Sequence, residues 1–184
     1  MKEKPTAPSF GRFLARWLRL RRDDMLALLL FPAGFWLLIM AVVLAAAAIE
    51  GAPLDAGTSA IPTAMALVGG VFAGFIVGMG SAGAAFTLAV CWGQPRRYAV
   101  AALWLSGVLY SAVNLLLAAL LQGAGTLICL AVGVQDLVGL LPLIPPVLWL
   151  ILLVAPTAGA VLVNASLRRF GPKAGKWLYL IFMV

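Results

Sequence analysis

The chain has no histidine, two cysteines and only 10% charged residues over 184 positions. Each scarcity removes a class of function. Without imidazole there can be no His-based zinc site and no Ser/His or Cys/His catalytic pair. Cys91 and Cys129 fall on segments that the topology below puts at opposite membrane faces, so no disulfide is expected within the chain. No G-x-x-x-x-G-K-[S/T] loop is present to cradle a nucleotide phosphate. Asp23 and Asp24 are adjacent, so on a helix they point apart and do not pair for acid–base work. No enzyme activity, cofactor or metal is expected. No ionisable group lies deep in an apolar run, where Asn114 and Asn164 are the largest polar side chains. Ion-coupled carriers place a carboxylate, lysine or histidine at that depth, which disfavours such a carrier.

What the chain has in abundance is apolar surface. Hydrophobic residues make up 64% and the mean hydropathy is +1.10, whereas soluble domains carry about 25% charged residues. The expected fold class is an all-α integral membrane protein: an N-terminal interfacial amphipathic helix, four full transmembrane helices and the start of a fifth. The net charge of +7 does not point to nucleic acid, because the basic residues sit in three short blocks flanking apolar runs.

Residues 1–24 read as a cytoplasmic N-terminus. Within it, 8–22 has Phe10, Phe13, Leu14, Trp17 and Leu18 at helical spacing, with Arg12, Arg16 and Arg19 on the other face. Such a helix lies in the headgroup plane with its apolar face on lipid, and Ser9 is placed to cap it. Residues 25–184 read as the transmembrane domain, with spans at about 25–49, 61–82, 99–121 and 147–167. The first apolar run, Met25 to Ile49, has 25 residues, too long for a signal core of about 7–15. Ser59 and Pro62 mark the start of the second span, whose helix continues beyond 82 to residue 92. The stretch 126–141 is expected to dip into the outer leaflet or pack as an outer loop. The final WLYLIFMV (177–184) reaches only about 12 Å as a helix, too short to cross, so the chain is expected to be a fragment of something longer.

Of the 13 lysines and arginines, seven precede residue 23, two are Arg96 and Arg97, and four lie at 168–176. Four crossings put all of them on one side, which the positive-inside rule assigns to the cytoplasm. The loops left outside hold Glu50, Asp55 and Asp136 and no basic residue.

Two local patterns stand out. Ala66, Gly70, Gly74, Gly78 and Ala82 recur at every fourth position of the second span, a stripe that lets another helix approach closely. That helix belongs either to the same chain or to a second copy across a dimer seam or conduit wall. The other pattern is FTLAVCWGQPRRY (86–98): a helix outlasting the membrane, stopped by Gly93 and Pro95, then an arginine pair. An abrupt basic turn in the cytosol suits a groove on a soluble partner, with Arg96 and Arg97 pairing carboxylates there.

With these residues in view, the chain resembles the membrane subunit of bacterial ABC-2-type transporters. FGRFLARWLRLRR is similar to the family's elbow helix. FTLAVCWGQPRRYAVAALWLSG resembles the stretch whose cytoplasmic turn joins spans two and three. RRFGPKAGK (168–176) resembles the basic turn before the family's fifth span. The family has six spans, and here four are complete. The resemblance implies a permease half in the bacterial inner membrane, which forms the conduit with a second permease subunit, homo- or heterodimeric. It further implies a separate ATP-binding cassette ATPase beneath, touching Phe86, Cys91, Trp92, Gly93, Gln94, Pro95, Arg96, Arg97 and Tyr98, and transport that is generally outward. The alternative is a non-transporting accessory or immunity-type membrane protein whose basic turns only anchor it.

Overall fold

A computed structural model describes residues 9–51, 56–133 and 139–171. Among these the chain is all helical: α1 (Phe10–Leu20), α2 (Arg22–Glu50), α3 (Ala56–Cys91), α4 (Arg96–Ala131), a 3-10 turn at Leu141–Leu143, and α5 (Pro146–Phe170). Four helices are long and apolar enough to cross a membrane, over Arg22–Ile49, Ala60–Cys91, Arg96–Ala131 and Pro146–Leu167. Residues 1–8, the segment around Asp55, the segment around Asp136, and 172–184 with Lys173, Lys176 and WLYLIFMV lie outside the described residues.

The long helices differ in extent from the sequence reading, for local reasons. α3 begins at Ala56, so Pro62 lies inside it rather than at its first turn. α4 continues ten residues beyond 121, to Ala131, so 122–131 is helix and not loop. Gln122 does not break it, because its Oε1 accepts a hydrogen bond from the Leu141 N–H at 2.9 Å and ties the following connection back to α4. α3 and α4 have 36 residues each, about 54 Å at 1.5 Å per residue, against a hydrocarbon core of about 30 Å. At the start of α1, Ser9 is the N-cap residue, but its hydroxyl makes no capping bond. Its carbonyl instead accepts from the N–H groups of Arg12 and Phe13.

α3 is the central helix, packed against α2, α4 and α5, while α4 also packs on α5 and more lightly on α2. The distribution of side chains is reversed from that of a water-soluble bundle. Outward-facing positions carry large apolar groups, among them Leu30, Leu37, Phe72, Ile76, Leu120 and Leu150. Buried positions carry small or polar ones, including Thr63, Ala66, Ser106, Ser111, Asn114 and Thr157. That arrangement suits an apolar solvent, where burying Leu gains nothing and close contact between small residues does.

The small-residue stripe explains how α3 sits at the centre. A Cβ on Gly70 would collide with the Asn114 amide, and one on Gly74 with the Tyr110 ring. A Cβ on Gly78 would come within 2.8 Å of the Ala160 methyl. Ala66 is buried beside Trp36, Met40 and Cys129. The stripe is thus filled by helices of the same chain, which leaves no dimer seam at these four positions. The Ala82 side chain lies outside the described residues. Polar bonds fasten the same contacts. The Tyr110 hydroxyl lies 3.2 Å from both the Leu28 and the Gly70 carbonyl oxygens, and the Asn164 amide donates to the Met79 carbonyl at 2.7 Å.

Candidate functional site

The end of the bundle where α3 turns into α4 is built on alanines. Ala85 and Ala89 on α3 and Ala99 and Ala102 on α4 are fully buried. Their lack of bulk leaves room for the rings of α1. Phe13 and Trp17 are each 1% exposed and pack into this cluster with Leu103. Leu14 packs against it, and Leu18 is half-buried. Trp17 Nε1–H donates to Ser106 Oγ at 3.2 Å, which satisfies the indole in an otherwise apolar setting. The apolar face of α1 is therefore covered by protein rather than laid on lipid as the sequence reading had it. Its arginines Arg12, Arg16 and Arg19 are exposed on the other side.

α3 stops at this platform in a Schellman motif. The Gln94 N–H bonds the Ala89 carbonyl at 2.7 Å and the Gly93 N–H bonds the Val90 carbonyl at 3.0 Å. Gly93 takes φ +62, a left-handed conformation that costs glycine little and other residues more. Pro95 follows as the N-cap residue of α4 with extended backbone. The chain reverses within a few residues, with no slack between the two longest helices.

The nine residues expected to meet a partner divide into two sets. Phe86, Trp92, Gln94 and Tyr98 turn inward. Trp92 meets Phe13 edge to face at 5.6 Å, and Tyr98 meets Phe10 in the same way at 5.2 Å. Gln94 is 6% exposed, its Nε2 donates to the Trp92 carbonyl at 3.3 Å, and its Oε1 is buried with no partner among the described residues. Such an acceptor costs about 1–3 kcal/mol. Cys91, Gly93, Pro95, Arg96 and Arg97 are exposed, and these form the accessible knob.

Arg96 and Arg97 occupy the first turn of α4, which has no acidic residue. Cations there oppose the helix dipole by about 0.3–1 kcal/mol each. Among the described residues neither has an acidic partner, and Arg97 Cζ lies 5.7 Å from the Tyr98 ring centroid. Local helix stability therefore does not account for the pair. By contrast, Asp23 and Asp24 occupy the first turn of α2, where the dipole favours acids.

Beside the knob a cleft of about 650 Å³ opens between α3, α4 and α5, lined by Val90, Cys91, Arg96 and Asn164 among others. Deeper, a cavity of about 50 Å³ is lined by Arg21, Ser81, Ser106, Tyr110 and Thr157. That is room for a few waters, at roughly 10–15 Å³ each. The sequence marks Ser106 as a close-contact hydroxyl of the third span but gives neither its bond to Trp17 nor the role of Tyr110. The one signal for that bond is Trp17, an indole on an apolar face that needs an acceptor. Among the described residues no three His, Cys, Asp or Glu side chains come together as metal ligands would.

No family model matches the sequence, and no curated protein or solved structure matches it.

Proposed function

We propose that the chain is a permease subunit of an ATP-driven ABC-2-type exporter, seated in a bacterial cytoplasmic membrane with its N-terminus inside. A separate ATP-binding cassette subunit docks on the exposed knob at Cys91, Gly93, Pro95, Arg96 and Arg97. One observation carries this reading. Two arginines without acidic partners among the described residues stand at the dipole-unfavourable start of α4, on a turn clamped from below by Phe13, Trp92 and Tyr98. A charged surface that does not serve its own helix, mounted on a rigid base, suits transmission of force from a partner. The Schellman turn joins α3 directly to α4, so a push on the knob moves both helices together. The small central cavity fits a pathway that forms between two such subunits rather than within one.

Purification of the tagged chain from its host in mild detergent tests the proposal. An ATP-binding cassette subunit and ATP hydrolysis should co-purify with it. Arg96→Glu with Arg97→Glu should weaken that association by about 2–5 kcal/mol, roughly thirty-fold or more. Membrane insertion should be unchanged, held by the N-terminal basic block. A wild-type chain that brings no such subunit, or a doubly reversed chain that keeps it undiminished, would instead favour the accessory-protein reading.

A further inference from the structure

On the outer face of α2 and α3 runs an apolar groove of about 860 Å³. Phe31, Phe35 and Phe72 line it together with the small residues Gly69, Ala73 and Gly80. The Phe31 and Phe35 rings lie parallel, 4° apart in plane with centroids at 6.2 Å. From Asp24 to Phe35 the α2 wall is about 17 Å long at 1.5 Å per residue, close to one leaflet of a core about 30 Å thick.

One end of the groove is charged. Arg21 stands there at the break between α1 and α2, with its side chain 14% exposed. Its only ion pair among the described residues joins Nε to Asp24 at 3.4 Å, and Asp24 is itself 59% exposed. The Trp17 ring lies 5.6 Å from Cζ. A guanidinium carries five N–H donors, and among the described residues its terminal nitrogens have no hydrogen-bonded partner. Burial pushes the Arg21 pKa down, and Asp24 only partly restores it. Arg21 and Ser81 also line the central hydroxyl-rich cavity, so the groove and the cavity adjoin at this residue.

We propose that the α2–α3 groove holds an acyl chain of an anionic phospholipid, from the leaflet at the α1 end, with its headgroup phosphate on the Arg21 guanidinium. An apolar channel one leaflet long matches that ligand in shape; Arg21 and the exposed Asp24 both line its polar end, and the guanidinium N–H groups that Asp24 leaves unmet face the phosphate position. A zwitterionic lipid fits the channel but brings its own cation to the arginine. The inference rests on the chain lying in a bilayer, and it stands whether or not an ATPase docks on the knob.

The test is native mass spectrometry of the purified chain after exchange into neutral detergent with equal phosphatidylglycerol and phosphatidylcholine. Wild type should retain phosphatidylglycerol over phosphatidylcholine by roughly fivefold. Arg21→Gln should lose the preference while still binding lipid. Gly80→Phe should lose both lipids, because a Cβ there meets only open groove and the ring would fill it. Thermal shift gives a second readout on the same proteins: phosphatidylglycerol should stabilise wild type and inorganic phosphate should not. Equal retention of the two lipids by wild type, an unchanged preference in Arg21→Gln, undiminished lipid in Gly80→Phe, or equal stabilisation by inorganic phosphate would each overturn the proposal. None of these readouts depends on an ATPase, so failure here and failure of the permease reading are separable.

Discussion

Trp17→Ala releases α1 from the bundle while the four long helices stay assembled. The indole is 1% exposed and its N–H is bonded to Ser106. Truncating a buried aromatic costs about 3–5 kcal/mol, and an undocked indole recovers part of that at the lipid interface, so the lower figure applies. α1 has 11 residues, below the roughly 12–15 at which an isolated helix becomes even marginal in water. Once undocked it cannot hold its own fold. Limited trypsin digestion reads the effect at Arg12, Arg16 and Arg19. Cleavage should accelerate roughly a hundredfold, while Leu20→Ala, at an exposed position, should leave it unchanged. Equal protection of wild type and Trp17→Ala would show that the platform beneath the turn is not held by this residue.

Gly74→Leu destabilises the bundle, and Gly80→Leu, six residues further along the same helix, does not. Both exchanges improve helix propensity by a similar amount, so packing alone separates them. At Gly74 even a Cβ would collide with the Tyr110 ring, and a ring cannot bend aside as the tip of a flexible chain can. Tyr110 would have to leave, and with it the hydroxyl contacts to the Leu28 and Gly70 carbonyls. Overpacking together with that loss amounts to roughly 2–4 kcal/mol. At Gly80 a Cβ meets nothing within 4 Å. Unfolding titrations in mixed micelles should therefore lower the midpoint for Gly74→Leu and leave Gly80→Leu at or slightly above the wild-type value. Matching midpoints would mean that the α3–α4 contact is not as close as described.

The sequence and the structure agree most where a signal is local. Gly93 and Pro95 announce a sharp stop, and the Schellman turn is found there. Apolar run lengths give four helices able to cross a membrane, because hydropathy acts over a whole segment. The readings that needed correction all depend on what a residue touches. Helical spacing shows which face of α1 is apolar, but not whether lipid or Ala85, Ala89, Ala99 and Ala102 will cover it. A small residue every fourth position announces a close neighbour without naming it. That neighbour is Asn114, Tyr110 and Ala160 of the same chain. Gln122, Gly123 and Gly125 look like loop residues, yet Gln122 holds Leu141 and Gly125 leaves space for Trp36 and Met40. Arg21 reads as one charge among seven, and only the fold sets it between the lipid-facing groove and the central cavity.

The docking proposal requires the arginine knob to face the cytosol, and the native chain carries its own probe for that. Cys91 is exposed on the knob itself and Cys129 is buried, so a membrane-impermeant maleimide reports on one site. The account predicts labelling of Cys91 in inside-out vesicles stripped of peripheral subunits and none in intact cells, with Cys91→Ser abolishing the signal. Labelling of Cys91 from outside intact cells would place Arg96 and Arg97 on the wrong side of the membrane for any ATPase and contradict the proposed function.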